Sequence, residues 1–65
     1  MKLSNLLTLM GDDDQIQICE ETESRLPGKE LFYGTVIECY DYPKLLKRKV
    51  TYLFATGNDM VIFVK

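Results

Sequence analysis

The sequence predicts a small α+β domain in which a curled antiparallel sheet of about four strands carries an N-terminal helix and a short helical turn. Two observations lead to this prediction. In the last third of the chain, the apolar runs Val50–Ala55 and Met60–Val64 flank the polar cluster 56–59. Runs of this length, rich in Val, Ile, Phe and Tyr and separated by a Gly-Asn turn, are typical of a β-hairpin. Earlier, Gln15–Cys19 alternates polar and apolar residues, as a half-buried strand does.

The hairpin carries the most informative pattern. If Gly57-Asn58 is a two-residue type II′ loop, Gly57 supplies the positive φ that this turn needs. The predicted pairs are Phe54 with Val61 and Tyr52 with Phe63 on one side, and Leu53 with Ile62 and Thr51 with Val64 on the other. Both sides are apolar, whereas a half-exposed strand alternates. One side must meet the core, and the surplus predicts an interface at Tyr52, Phe54 and Phe63.

A short amphipathic helix is predicted over Lys2–Met10. Its apolar stripe follows the spacing i, i+3, i+4 and i+7 at Leu3, Leu6, Leu7 and Met10. Ser4 is the predicted N-terminal cap and Gly11 the predicted stop. Because so short a helix is not stable alone in water, we expect it to dock on one face of the sheet.

The middle of the chain supplies the remaining elements. Asp12–Asp14 is expected to form a solvated turn, and Glu20–Gly28 a long polar connection. Glu30–Ile37 has strand character, with Gly34 predicted to bulge or bend it. Pro43–Arg48 suits a single helical turn, because Pro is favoured in the first turn of a helix. Four strands in a meander, bent and capped by a helix, predict an SH3-like, partly open barrel or a curled sheet.

Composition limits the possible functions. The 65 residues are expected to form a single domain, 1–65, and 46% of them are hydrophobic. No apolar run approaches the roughly 20 residues that cross a bilayer, so we expect a cytoplasmic protein without membrane contact. Cys19 and Cys39 are predicted to be buried, reduced thiols. The chain has no histidine, and no pattern of catalytic residues, metal ligands or cofactor contacts stands out, so we expect a non-enzymatic protein.

A second candidate site combines tyrosines with basic residues. It consists of Tyr40, Tyr42, Lys44, Lys47 and Arg48. Tyrosines beside cations suit a small anionic ligand such as a nucleotide, held between subunits, or a protein partner. The alternative is that one tyrosine packs over the end of the barrel while the cations are ordinary surface residues. Weak binding of single-stranded nucleic acid is disfavoured by the net charge of −2.

The charge is unevenly distributed along the chain. Residues 1–41 hold nine acidic and three basic residues, a balance of −6, whereas residues 42–65 hold one acidic and five basic residues, a balance of +4. Such asymmetry can steer partners or align copies of the chain head to tail. It can equally reflect solvated charges at opposite edges of a small domain.

Nearly the whole chain resembles small phage and prophage proteins of Gram-positive bacteria. The similar segments are MKLSNLLTLM, QIQI, LFYGTV, KLLKRKV and MVIFV. The resemblance implies a compact β-rich fold and an accessory role in the host cytoplasm, without assigned chemistry or site residues. Together with the apolar surplus, it favours a protein that acts by binding, either to copies of itself or to a host protein that it inhibits, such as a defence protein.

Overall fold

A computed structural model describes residues 1–21 and 27–65. In this part of the chain it contains three short helices and four strands. In chain order they are α1 (Leu3–Leu7), β1 (Gln15–Glu21), β2 (Pro27–Thr35), α2 (Val36–Cys39), α3 (Pro43–Leu46), β3 (Val50–Thr56) and β4 (Asp59–Val64). The predicted N-terminal helix, the short helical turn at Pro43 and the number of strands are therefore confirmed.

The four strands form one open, mixed sheet in the order β2-β1-β4-β3. The hairpins β1–β2 and β3–β4 are antiparallel, but the central strands β1 and β4 run parallel, with Ile18 opposite Ile62. The prediction of a wholly antiparallel meander is therefore wrong. The predicted alternatives were a curled sheet and a partly open, SH3-like barrel; the sheet is open and not closed into a barrel, and an SH3-like identity stays a prediction.

The core lies on one face of this sheet, which we call the covered face. Its strand residues are Ile16, Ile18, Ile62 and Val64, and the helices add Leu3, Leu7, Val36, Cys39 and Leu45. The inward orientation of Ile16 and Ile18 and the docking of α1 on the sheet are thus confirmed. The helix is shorter than predicted, and Lys2, not Ser4, is its N-cap residue.

The segment after β2 differs from the prediction. The strand ends at Thr35, and a helical turn replaces the expected continuation through Ile37. Thr35 Oγ1 accepts from the Glu38 backbone N–H, and a Glu38 carboxylate oxygen accepts from the Thr35 N–H at 3.1 Å. This capping box follows a Thr-x-x-Glu pattern that is visible in the sequence. It satisfies the N–H groups of Thr35 and Glu38, while the N–H groups of Val36 and Ile37 donate to the carbonyls of Asp14 and Asp12.

The bulge that was one of the two predictions for Gly34 does not form. Gly34 pairs in regular register with Ile16, and the irregularities in this hairpin lie between Ile18 and Glu21. A Cβ atom at Gly34 would lie 3.1 Å from Cζ of Phe32 and 3.2 Å from Oε1 of Glu38. The glycine therefore gives room for a close approach. The predicted connection Glu20–Gly28 begins within β1 and ends within β2, and residues 22–26 lie outside the described part.

Candidate protein-binding surface

The hairpin β3–β4 forms as predicted, except at its open end. Tyr52 pairs with Phe63, Leu53 with Ile62, and Phe54 with Val61. Gly57 adopts a φ of 58°, the positive value that the turn was expected to need. The predicted pairing of Thr51 with Val64 is wrong, because the register shifts between Val50 and Tyr52 and brings Val50 opposite Val64. Thr51 Oγ1 instead donates to the Phe63 carbonyl at 3.2 Å.

The three predicted interface residues lie together on the face opposite the helices. We call Tyr52, Phe54 and Phe63 the aromatic patch. The ring centroids are 5.9 Å apart for Tyr52 and Phe54, and 6.0 Å apart for each of the pairs with Phe63. Such separations are those of interacting aromatic pairs. Phe63 is 8% exposed and forms the floor, whereas Tyr52 and Phe54 are 58% and 38% exposed.

The floor of the patch continues toward β1. Cys19 and Val61 are buried with Phe63 in a second, smaller hydrophobic cluster. Burial is the main cause that raises the pKa of the Cys19 thiol, with the Glu30 carboxylate adding to it. A groove of about 440 Å³ lies beside this cluster and is lined by Glu21, Thr51, Tyr52 and Phe63. One Glu21 oxygen is buried there and has no hydrogen-bond partner among the described residues.

The β1–β2 half of the same face is polar. Gln17 Nε2 donates to Glu30 Oε1 at 3.1 Å, and the Tyr33 hydroxyl donates to Asp59 Oδ2 at 3.1 Å. The bond to Asp59 is the main cause that raises the pKa of Tyr33. Because these groups satisfy one another, the polar half limits the apolar surface to the β3–β4 side.

β3 is also an edge strand, and its outer side is only partly covered. The first residues of the chain pair with its beginning: the Leu3 N–H donates to the Arg48 carbonyl at 2.9 Å, and the Val50 N–H donates to the Met1 carbonyl at 2.8 Å. From Thr51 to Thr56, no described residue pairs with the outer side of the strand. Edge strands of this length usually carry a charge or a proline. Val50–Thr56 has neither.

The second predicted site, around Tyr40 and Arg48, is less well assembled. The Tyr42 ring packs edge-on against Phe32 with centroids 5.3 Å apart. Arg48 Nη1 lies 3.4 Å from Glu20 Oε2 in an ion pair. Tyr40, Lys44 and Lys47 are exposed and make no side-chain hydrogen bond or ion pair with the rest of the described chain. Two of the five residues therefore already have partners within the protein.

The remaining features add no chemistry. Among the described residues, no group of three or more potential ligands is placed to hold a metal ion, and no helix has the length and apolarity to cross a membrane. Comparison of the chain with protein-family models, curated proteins and solved structures finds no match. The aromatic patch and the free edge beside it are therefore the best-formed candidate site.

Proposed function

We propose that this chain is a non-catalytic protein-binding module that acts by self-association through the aromatic patch. The observation that supports it best is the difference between the two sides of one sheet. Three helices cover this sheet over β1 and β4, whereas Tyr52 and Phe54 stand exposed on the other face, where no described helix lies. Adjacent exposed aromatic side chains on a small domain are typical of an interface.

The energetics favour burial of this surface against another chain. A large aromatic side chain contributes of the order of 150–250 Å² of surface. Each Å² of apolar surface that association removes from water stabilises the complex by about 25 cal/mol. A domain of this size buries only about 60% of its unfolded surface, so its own core leaves little excess stability. A second copy is the partner we choose, because it brings a matching apolar surface and a complementary charge distribution.

The biological setting is a further part of the proposal. On the resemblance to phage and prophage proteins alone, we infer an accessory role in a phage or mobile element, with a host protein as the other class of partner. The loop from Tyr40 to Arg48 remains the candidate for an anionic ligand or single-stranded nucleic acid. We rank it second, since Tyr42 and Arg48 already contact Phe32 and Glu20.

The test is the mass of the protein in solution as a function of concentration. Light scattering or sedimentation should show dimers in the unmodified protein. In the double variant Tyr52→Thr/Phe54→Thr, the dissociation constant of the dimer should rise at least about 30-fold, because aromatic side chains at the centre of an interface can contribute about 2 kcal/mol or more. Threonine is chosen because it keeps the strand propensity of these positions.

The matched control is Tyr33→Thr. Tyr33 lies on the same face and is 56% exposed, much like Tyr52, but it belongs to the polar half. It should leave the dimer intact. A protein that stays monomeric up to about 1 mM, where association would be worth only about 4 kcal/mol, would refute self-association. A dimer that survives the double variant would refute the role of the patch.

A further inference from the structure

We infer that two copies join by pairing their β3 strands edge to edge, antiparallel, about a two-fold axis at Phe54, so that both sheets become one. This inference rests on the proposed self-association and adds its geometry. It differs from the other way of burying an aromatic patch, in which two sheets stack face to face. The two arrangements use different atoms and can be told apart.

The free part of the edge sets the position of the axis. The outer side of the strand is occupied by the first residues of the chain as far as Val50. The register with β4 is irregular between Val50 and Tyr52 and regular from there on. A bulge disturbs the pairing of a strand on its outer side as well. The regular, free segment is thus Tyr52–Thr56, and its midpoint is Phe54.

The backbone groups in this segment have the right alternation. In a two-residue hairpin the residues that close the loop exchange both hydrogen bonds, and every second residue does the same. Thr56 closes this loop with Asp59. We therefore expect Phe54 to bond inward to β4, and Leu53 and Ala55 to direct their N–H and C=O groups outward. Antiparallel pairing about Phe54 sets Leu53 opposite Ala55 of the second copy. The backbone N–H and C=O groups of both residues then gain hydrogen-bond partners.

The side chains fit the same axis. Phe54 meets Phe54 of the second copy in a non-hydrogen-bonded pair, where side chains come closest, with Cα atoms about 4.5 Å apart. Aromatic cross-strand pairs stabilise sheets. The two aromatic patches then meet at the Phe54 rings, which cover part of each other's surface. On the opposite side, Leu53, which is 39% exposed, gains the methyl group of Ala55 as a neighbour.

Charge selects an antiparallel second copy as the occupant. At the beginning of β3, the backbone of Lys49 pairs with that of Lys2, and the Lys49 carbonyl accepts from the Lys65 N–H at 2.9 Å, so three basic residues are neighbours there. At the other end, Asp14 and Asp59 line a shallow cavity beside the Gly57-Asn58 turn. Their carboxylates accept from the Gly11 N–H and the Tyr33 hydroxyl and keep their negative charge. Antiparallel pairing brings each basic end beside the acidic end of the second copy, twice per dimer. Parallel pairing would bring like charges together, which opposes that register.

The decisive measurement is amide hydrogen exchange by NMR at a low concentration, where the protein is monomeric, and at a high one, where about nine tenths is dimeric. Exchange at Leu53 and Ala55 should slow about tenfold at the high concentration, because it then requires the free monomer. Tyr52 and Phe54 serve as controls, since β4 protects their amides in both states.

Disulfide trapping tests the register. Leu53→Cys mixed with Ala55→Cys should form an interchain disulfide, because directly opposite residues have Cα atoms about 5.5 Å apart. Both positions lie away from the aromatic patch. Leu53→Cys alone should not cross-link, and the unmodified protein is the blank, since Cys19 and Cys39 are buried.

Each outcome has a separate meaning. Slowed exchange at Leu53 and Ala55 together with a mixed cross-link supports the pairing. A dimer in which these two amides exchange at an unchanged rate overturns the edge pairing but leaves self-association standing. Efficient cross-linking of Leu53→Cys with itself overturns the axis at Phe54. Absence of any dimer overturns the proposed function itself.

Discussion

The same four strands form both faces of the sheet, but the helices cover only one of them. On the covered face, Ile18 and Ile62 are fully buried beneath α1, α2 and α3. On the other face, the sequence is as apolar at β3 and β4, yet Tyr52 keeps more than half of its surface in water. Apolar character alone therefore did not decide where the core lies. The position of the helices decided it, and the remaining apolar surface is available for another chain.

The two cysteines lie on opposite faces of the sheet and differ in what raises the pKa of the thiol. Burial raises the pKa of the Cys39 thiol, on the covered face, to about 11. The pKa of Cys19, on the other face, is also raised, and the Glu30 carboxylate contributes to that rise. Both thiols are buried, but only Cys39 lies in the layer between sheet and helices.

The largest effect should come from the covered face. Ile62→Ala should lower the free energy of unfolding by about 2–5 kcal/mol, since it leaves a cavity beneath the helices. Tyr52→Ala, on the neighbouring strand and the other face, should cost about 1 kcal/mol when measured on the monomer. Urea denaturation at low protein concentration compares the two. Equal losses would mean that the exposed face stabilises the monomer as much as the core does.

The next effect concerns the hairpin that carries the aromatic patch. Gly57→Ala should cost about 1–2 kcal/mol, because the positive φ of 58° is strained for a residue with a Cβ atom. Gly11→Ala is the matched control: a Cβ there would meet only ordinary contacts, at 3.6 Å from Asp14. Thermal or urea unfolding measures both. If Gly57→Ala unfolds with the same free energy as the unmodified protein, the turn is not held rigidly at this positive φ.

A smaller effect should come from the N-terminal cap of α2, one of the elements that cover the core. Thr35→Ala should lower stability by about 1 kcal/mol, since it removes the capping hydroxyl. Thr35→Ser keeps the hydroxyl and should restore most of the loss. If Thr35→Ser is no more stable than Thr35→Ala, the loss of stability comes from the threonine methyl group and not from the cap. Denaturation curves for the three proteins decide this.

The same cap makes stability sensitive to acid. Hydrogen bonds from the Thr35 N–H and hydroxyl, at 3.1 and 2.8 Å, hold the pKa of Glu38 below its usual value. The contribution of a carboxylate with a lowered pKa is present above its unfolded pKa of about 4.3 and is lost as the pH falls through the folded pKa. Unfolding measured between pH 7 and pH 2 should show this loss. Glu38→Gln should lack it, and an identical acid profile would contradict the cap.

The last effect is confined to alkaline pH and should separate the two cysteines. Because the folded pKa of Cys39 is raised to about 11, its contribution is complete below the unfolded pKa of about 8.5 and declines as the pH rises toward 11. Cys39→Ala should remove this part of the pH dependence. Alkylation at pH 8 followed by mass spectrometry should modify Cys19 before Cys39. The reverse order would show that the covered face is the more open one.

Much of the candidate site could be predicted because a hairpin is local. The register of Tyr52, Leu53 and Phe54, the positive φ of Gly57 and the grouping of the aromatic patch all follow from residues close in sequence. The register shift before Tyr52 could not be predicted from neighbouring residues, since it depends on how the ends of β3 and β4 meet the rest of the domain. The partners of Tyr42 and Arg48 are also distant, so the loop's internal contacts with Phe32 and Glu20 were missed.

The local elements follow from the sequence: an apolar stripe for α1, the alternation that buries Ile16 and Ile18, and the hairpin with two apolar faces. The order of the strands does not follow from it, because the parallel pairing of β1 with β4 joins segments from opposite ends of the chain and leaves no local pattern. The tertiary structure also chose the covered face. Alternation with period two defines two faces but cannot say which one the helices will bury.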